Sequence, residues 1–199
     1  FALACGANGI VALGGGPARL PCLWDAQSDR TVELRGHTGD INSIALSPDG
    51  RLVATGGADR TVRLFSAVDG TTLAIARDHL DQVNAVTFSP EGSIVVSAST
   101  DRTVRLWRLP DLAALASLDG HADSVLAAEF TANGQDIVSL DAGCSVRVWA
   151  ANASFAAGDL RVPDNSWGSI DIARDAARMV TSNSQKRIRL WSLEQGFRE

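Results

Sequence analysis

The residues best suited to chemistry in this chain are its three histidines, His37, His79 and His121, which follow one another at equal intervals. Histidine is the commonest general base of enzymes and a frequent metal ligand. Equal spacing, however, assigns all three to one position of a repeated unit. Because they lie in different repeat units, the three histidines cannot converge on a single metal ion. No further histidine exists outside this position to act as a catalytic base. The sequence predicts no catalytic residue, no metal site and no enzymatic activity.

Two further candidates for a chemical site are weaker still. Gly14-Gly15-Gly16 lacks the Gly-Lys-Ser/Thr that a phosphate-binding loop requires, and the end of a strand explains it better. The cysteines Cys5, Cys22 and Cys144 form no CxxC pair and are odd in number. This pattern argues against a disulfide framework, and we expect reduced thiols and no cofactor.

The composition argues against nucleic-acid and membrane partners. The 199 residues carry a net charge of −5, whereas a nucleic-acid-binding domain is expected to have a basic face. The apolar stretches are no longer than strands, and no signal segment opens the chain, so we expect a cytoplasmic protein without a transmembrane helix. Lysine occurs once, at Lys186, and the bias toward arginine and alanine is typical of a GC-rich bacterial genome.

Five aromatic residues reveal the repeat that must position these side chains. They are separated by nearly equal intervals of about 40 residues: Trp24, Phe65, Trp107, Trp149 and Trp191. A fixed period of this length indicates one supersecondary unit stacked on copies of itself. Because the repeat runs from end to end, residues 1–199 are predicted to form one domain.

Residues 79–120 show what one unit contains. Val83–Phe88 alternates between apolar and polar residues, as in a half-buried strand, and Ser89-Pro90-Glu91-Gly92 supplies a tight turn. The β-branched run at 94–97 and the segments Thr103–Trp107 and Ala113–Leu118 predict three more strands. Four strands in one unit of this length describe a small antiparallel sheet, which can bury its faces only against neighbouring sheets.

Several motifs in fixed phase make the chain resemble the WD-repeat family over essentially its whole length. They are Gly36-His37 and Gly120-His121, the turn at 47–50, the aspartates Asp59 and Asp101, and the Val-Arg-Leu-Trp ending at Trp107. The resemblance implies an all-β β-propeller with about five four-stranded antiparallel blades, the last incomplete, as part of a larger ring. The blades are expected at approximately 1–36, 37–78, 79–120, 121–162 and 163–199.

Membership of this family also implies a structural hydrogen-bond network in each blade. Its members are a histidine before the first strand, a Ser or Thr in the second strand, an Asp in the next turn and the Trp of the third strand. The matching residues are His79, Ser97, Asp101 and Trp107 in a complete set, and His37, Thr55, Asp59, His121, Ser139 and Trp149 in two partial sets.

The two partial networks each lack one group. In the set of His37, the tryptophan position holds Phe65, which has no N–H to donate. In the set of His121, the aspartate position holds Gly143. Asp141, two residues earlier, either supplies the missing carboxylate or does not. Because Gly143 supplies no carboxylate, the substitution His121→Ala is expected to destabilise the protein less than His79→Ala. Equal losses would show that Asp141 has taken over the carboxylate role.

The family resemblance implies a function as well. Such propellers are generally non-catalytic scaffolds that bind a protein or peptide through the rim around the first strand and the turn aspartate. The rim residues by position are Asp40, Asn42, Gln82, Asn84, Thr100, Ser124, Leu126, Ser166 and Ser184. The alternative is a regulatory module of a larger bacterial signalling enzyme, a kinase or NTPase, in which the partner is another domain of the same polypeptide.

Overall fold

The computed structural model describes residues 2–6, 9–14 and 21–151, together with the backbone of four more strands between 158 and 192. The described residues contain strands and turns but no helix, and therefore no helix long and apolar enough to cross a membrane. Sheet 1 consists of β1 (Ala2–Cys5), β2 (Ile10–Gly14), β3 (Cys22–Asp25) and β4 (Arg30–Glu33). Sheet 2 consists of β5 (Ile41–Leu46), β6 (Leu52–Gly57), β7 (Val62–Ser66) and β8 (Thr72–Ala76).

The remaining strands form three more sheets. Sheet 3 consists of β9 (Val83–Phe88), β10 (Ile94–Ser99), β11 (Thr103–Arg108) and β12 (Ala113–Asp119). Sheet 4 consists of β13 (Val125–Phe130), β14 (Asp136–Asp141), β15 (Ser145–Ala150) and β16 (Gly158–Arg161). In sheet 5 the described strands are β17 (Ile170–Ile172), β18 (Arg178–Ser182) and β19 (Ile188–Ser192). All pairings are antiparallel between strands adjacent in the chain.

Every sheet has the same two ends because its strands run alternately up and down. The turns between first and second strands and between third and fourth strands lie at what we call the lower end. The turn between second and third strands and the connection to the next sheet lie at the upper end. At the lower end, Gly50, Gly92 and Gly134 have φ of 69°, 74° and 69°, the left-handed region that favours glycine. The recurring glycine of the first turn therefore has a backbone reason.

The sheets are arranged radially. The first strands β1, β5, β9, β13 and β17 lie side by side in chain order. Small residues of the first four of these strands, including Ala4, Ser43, Ala85 and Ala127, line a central cavity of about 360 Å³. The predicted all-β β-propeller with four-stranded antiparallel blades is thus confirmed, although its arc does not close into a ring within the described residues. The fourth strand of the last blade falls outside those residues, and the blade limits and the larger ring stay predictions.

The apolar core lies between neighbouring sheets, and the repeated aromatics form much of it. Phe65, Trp107 and Trp149 are 0%, 0% and 3% exposed, and each packs in a cluster with residues of the preceding sheet. Trp24 occupies the same position in sheet 1 but is 39% exposed, and Leu3 and Leu13 of that sheet are 65% and 43% exposed. Over the described residues, the outer face of sheet 1 is therefore an apolar face exposed to solvent.

Polar contacts also join the sheets near the central cavity. The Asn42 side-chain amide donates to the Val83 carbonyl at 2.9 Å, and the Asn84 amide donates to the Val125 carbonyl at 2.8 Å. Each bond reaches from the first strand of one sheet to the first strand of the next. Leu126 stands at the third equivalent position and has no amide to donate. The two asparagines thus act as links between sheets 2, 3 and 4.

Candidate functional site

Sheet 3 contains a continuous hydrogen-bonded chain of four side chains. The Trp107 indole N–H donates to Ser97 Oγ at 2.8 Å, and Ser97 Oγ lies 2.7 Å from His79 Nε2. His79 Nδ1 lies 2.8 Å from Asp101 Oδ2. Since the carboxylate can only accept, Nδ1 carries the proton, and the serine hydroxyl donates to Nε2. Every member therefore has a partner, as burial of these polar groups requires.

Asp101 joins this chain to the backbone of the upper end. Its carboxylate also accepts the Leu80 N–H at 2.9 Å, the Thr103 N–H at 3.0 Å and the Thr103 hydroxyl at 2.7 Å. Burial alone raises the pKa of Asp101, but the hydrogen bonds from His79, Thr103 and Leu80 outweigh it and lower that pKa well below its usual value. The carboxylate fixes the connection before β9 to the turn before β11.

Sheet 2 repeats this arrangement without the indole. His37 Nδ1 lies 2.9 Å from both oxygens of Asp59, and its Nε2 lies 2.7 Å from Thr55 Oγ1. Burial raises the pKa of Asp59, but hydrogen bonds from the Thr38 N–H, the Thr61 hydroxyl and His37 outweigh it and lower that pKa to about 2. Burial lowers the pKa of His37, and the neighbouring Asp59 offsets this only in part. Phe65 fills the tryptophan position with a buried ring.

Sheet 4 answers the question that the sequence left open. Asp141 Oδ2 lies 2.9 Å from His121 Nδ1, and His121 Nε2 lies 2.6 Å from Ser139 Oγ, to which the Trp149 indole donates at 2.8 Å. Asp141 ends β14 two residues after Ser139, and residues two apart in a strand point to the same face. The carboxylate has thus moved from the turn onto the strand. The absence of a carboxylate partner, on which the smaller expected loss for His121→Ala rested, is therefore not found, and we now expect His121→Ala and His79→Ala to destabilise the protein by similar amounts.

Acid is expected to destabilise the protein in two stages. The pKa of His37 is lowered from 6.5, so below about pH 6.5 the unfolded state takes up that proton first and stability begins to fall. The pKa of Asp59 falls from 3.8 to about 2 on folding, so its contribution is complete above about pH 4 and is lost toward pH 2. Urea unfolding midpoints measured from neutral pH downward should decline throughout this window. A midpoint that stayed constant between about pH 6.5 and 3 would contradict both shifts.

The order of groups in sheet 3 matches that of a serine hydrolase, serine to histidine to aspartate. Its location does not suit one. Ser97 is 0% exposed and His79 is 3% exposed, and the serine hydroxyl is held between imidazole and indole. No substrate carbonyl can reach Ser97 Oγ without opening the core between sheets 2 and 3. The arrangement can hold the upper end rigid, and it is not built to turn over a substrate.

The predicted rim residues that the structure describes belong to the upper end, but they differ in what they do there. Asp40 and Gln82 are exposed, while Thr100, Ser124 and Leu126 are half-buried. Asn42 and Asn84 form the links between sheets, and Asn84 also donates to Thr100 Oγ1 at 3.0 Å. Ser166 and Ser184 lie outside the described residues. Fewer side chains are therefore available to a partner than the list of rim positions predicts.

One residue of this surface was missed in the sequence. Leu80 is 77% exposed, the most exposed of the large apolar residues described, and it directly follows His79. Its backbone N–H is held by Asp101, so the side chain projects from a fixed backbone. Threonine and alanine occupy the matching positions, Thr38 and Ala122. An apolar residue at a position that is otherwise small or polar was the signal that could have identified it.

Comparison with known sequences adds independent information. A family profile described as "WD domain, G-beta repeat" matches residues 28–66, 70–108 and 113–150. Each matched range covers the fourth strand of one sheet and the first three strands of the next.

Individual relatives share shorter segments with the chain. A guanine nucleotide-binding protein subunit beta of Schizosaccharomyces pombe is 46% identical over 46 residues, which is 23% of this chain and 15% of the relative. The small ribosomal subunit protein RACK1y of Oryza sativa subsp. japonica is 45% identical over 42 residues, 21% of this chain and 12% of the relative. A p21-activated protein kinase-interacting protein 1-like protein of Danio rerio is 30% identical over 64 residues, 32% and 17% respectively.

These alignments set the scope of the comparison. The aligned segments span less than a fifth of each of the three relatives. All three relatives are eukaryotic, so they give no support to the bacterial source predicted from composition.

Proposed function

This chain belongs to the WD-repeat family, and on that premise we propose that it is a non-catalytic scaffold whose upper end binds a protein or peptide. The observation that carries the proposal is Leu80, an exposed apolar side chain on a backbone fixed by the Asp101 network. Apolar anchors surrounded by polar groups are typical of interface centres. Asp81 and Gln82, which directly follow Leu80 in the chain, are exposed, and Asp40 is exposed at the upper end of the preceding sheet.

The names of the relatives are consistent with such a role. One is a subunit of a guanine nucleotide-binding protein, one is a ribosomal subunit protein, and one is named for its interaction with a protein kinase. Each name describes an assembly with other macromolecules rather than a reaction. The cytoplasmic location stays a prediction. The alternative function, a module that regulates an enzyme on the same polypeptide, also stays a prediction, and the flanking coding sequence would test it.

The proposal can be tested with two matched double variants. Leu80→Glu with Gln82→Arg alters the upper end, whereas Leu115→Glu with Gln135→Arg makes the same chemical changes at exposed positions on an outer strand and a lower turn. Asn84 is left intact because its amide links sheets 3 and 4. Proteins captured from a cell extract would be quantified by mass spectrometry.

We expect the upper-end variant to lose its captured proteins by at least about tenfold, since an interface anchor contributes about 2 kcal/mol or more. The lower-end variant should retain them. Equal retention by both variants, with both still folded by circular dichroism, would rule out the upper end as the binding surface.

A further inference from the structure

A groove of about 280 Å³ opens at the lower end between sheets 1 and 2. Its wall is mainly apolar and is formed by Ile10, Leu23, Val32, Ala67 and Val68. Leu23 is buried at its base, whereas Val68 is 68% exposed at its edge. We call this the lower groove. Its volume is near the lower limit for ligand pockets, roughly 300 Å³, so it has room for one or two side chains rather than a cofactor.

Three charged residues line the lower groove: Arg30 and Arg51, which supply positive charge, and Asp25. Both arginines are exposed, and neither guanidinium makes an ion pair or hydrogen bond with another residue in the part of the chain described. Arg30 lies directly across from Asp25 on the neighbouring strand. The two guanidinium groups therefore present unused N–H donors at the edge of an apolar wall.

The nearby carboxylates are held by their own turns. Asp25 accepts the Gln27 N–H at 2.9 Å and the Ser28 hydroxyl. Asp49, close to Arg51 in the chain, accepts the Ser47 hydroxyl at 2.6 Å and the Arg51 N–H at 3.1 Å. Each carboxylate also attracts the neighbouring arginine, Asp25 attracting Arg30 and Asp49 attracting Arg51, but no hydrogen bond joins either carboxylate to the guanidinium of its arginine in the part of the chain described. The N–H donors of the two guanidinium groups therefore stay available, and a ligand that complements them brings an anionic acceptor.

The fold itself does not require these arginines. In the next repeat Thr71 and Ser93 occupy the two positions, and in the repeat after that the residues are Ala113 and Gln135. The corresponding strands and turns of these two repeats form without the arginines. Both arginines therefore distinguish one junction of the arc from the two that follow it.

We infer that the lower groove binds a short acidic peptide segment, which places an aliphatic side chain on the apolar wall and a carboxylate against Arg30 and Arg51. Carboxylate–guanidinium hydrogen bonds are among the stronger polar contacts, and the apolar wall adds burial of the neighbouring side chain. This site is at the opposite end of the sheets from Leu80 and Gln82. It does not depend on the scaffold function proposed for the upper end.

The test uses the whole 199-residue chain and a set of end-capped, fluorescein-labelled peptides with one leucine and one glutamate at varied spacing. Binding is measured by fluorescence anisotropy. Matched peptides carry glutamine in place of glutamate, or serine in place of leucine. The protein variant is Arg30→Thr with Arg51→Ser, which installs the residues of the next repeat. The control is Arg77→Thr with Arg108→Ser, which removes the same charge from exposed positions elsewhere.

We expect saturable binding of at least one leucine–glutamate peptide, weakened at least about tenfold by the Arg30/Arg51 double change and by the glutamine peptide. The Arg77/Arg108 control and the Leu80/Gln82 variant should bind as the unchanged chain does, which separates this site from the upper end. Absence of saturable binding by every peptide overturns the inference. Equal binding by the Arg30/Arg51 variant, folded by circular dichroism, overturns it too.

Discussion

Replacing Trp107 with alanine is expected to lower the free energy of unfolding by about 3–5 kcal/mol, whereas Trp24→Ala should cost only about 1 kcal/mol. The two tryptophans hold the same position in their sheets, opposite Val95 and Val11. Trp107 is 0% exposed between two sheets and donates to Ser97, so its removal leaves a cavity and takes away one of the two hydrogen bonds of the buried Ser97 hydroxyl. Trp24 is 39% exposed and donates to Asp29 at 2.9 Å near the surface.

Urea-induced unfolding followed by far-ultraviolet circular dichroism measures both losses, because it does not depend on the fluorescence of the tryptophan removed. Trp149→Ala provides a second buried case, 3% exposed, and should resemble Trp107→Ala. If Trp24→Ala were as costly as the buried pair, the outer face of sheet 1 would have to be covered in solution.

The second large effect is expected at Asp141. Replacing it with alanine removes the acceptor for His121 Nδ1 and for the Ser145 N–H at 2.8 Å, both at a side chain that is only 1% exposed. A buried donor left without a partner costs about 1–3 kcal/mol, so the total loss should be about 2–4 kcal/mol. Ala142→Ser, at a half-buried position next to it, should cost less than about 0.5 kcal/mol.

A rescue variant separates the hydrogen bond from other effects of the substitution. Asp141→Ser with Gly143→Asp rebuilds the layout of sheet 3, where Ser99 and Asp101 hold the matching positions. Gly143 does not adopt a positive φ, so an aspartate fits its backbone. The double variant should recover at least half of the stability that Asp141→Ala loses. If Asp141→Ala lost little stability and the double variant recovered none of it, the carboxylate would be shown to be dispensable.

Much of the fold could be predicted because local chemistry repeats at one period. The alternation in β9, the turn ending in Gly92 and the β-branched β10 each predicted the element that forms. The buried aromatics then marked where each sheet meets its predecessor. In these segments the local preference of the residues for strands and turns agrees with the packing of the sheets. Because of this agreement, the repeat can be recognised in the sequence.

Other features depended on contacts between residues far apart in the chain. Asp141 could not be assigned because its position, not its type, departs from the repeat, and only the strand face shows that its carboxylate reaches His121. Asn84 was placed on the rim because the family resemblance implies partner contacts at that position of the repeat, yet its amide binds a carbonyl 41 residues away. Leu80 was overlooked because it departs from Thr38 and Ala122 at one position only, and the sequence alone does not show that this position is exposed. Exposure and long-range pairing are properties of the assembled sheets.

The links made by Asn42 and Asn84 bear on how such a chain can change in evolution. Each amide reaches from one sheet only to the next, and the core clusters likewise join only adjacent sheets. If one whole repeat unit were gained or lost, the sheet beside it would pack against a different but equivalent sheet. The amide links and the core contacts between adjacent sheets would keep the same form. Gene segments can then be duplicated or deleted in multiples of this unit without inventing a new core, while shorter insertions are confined to the turns.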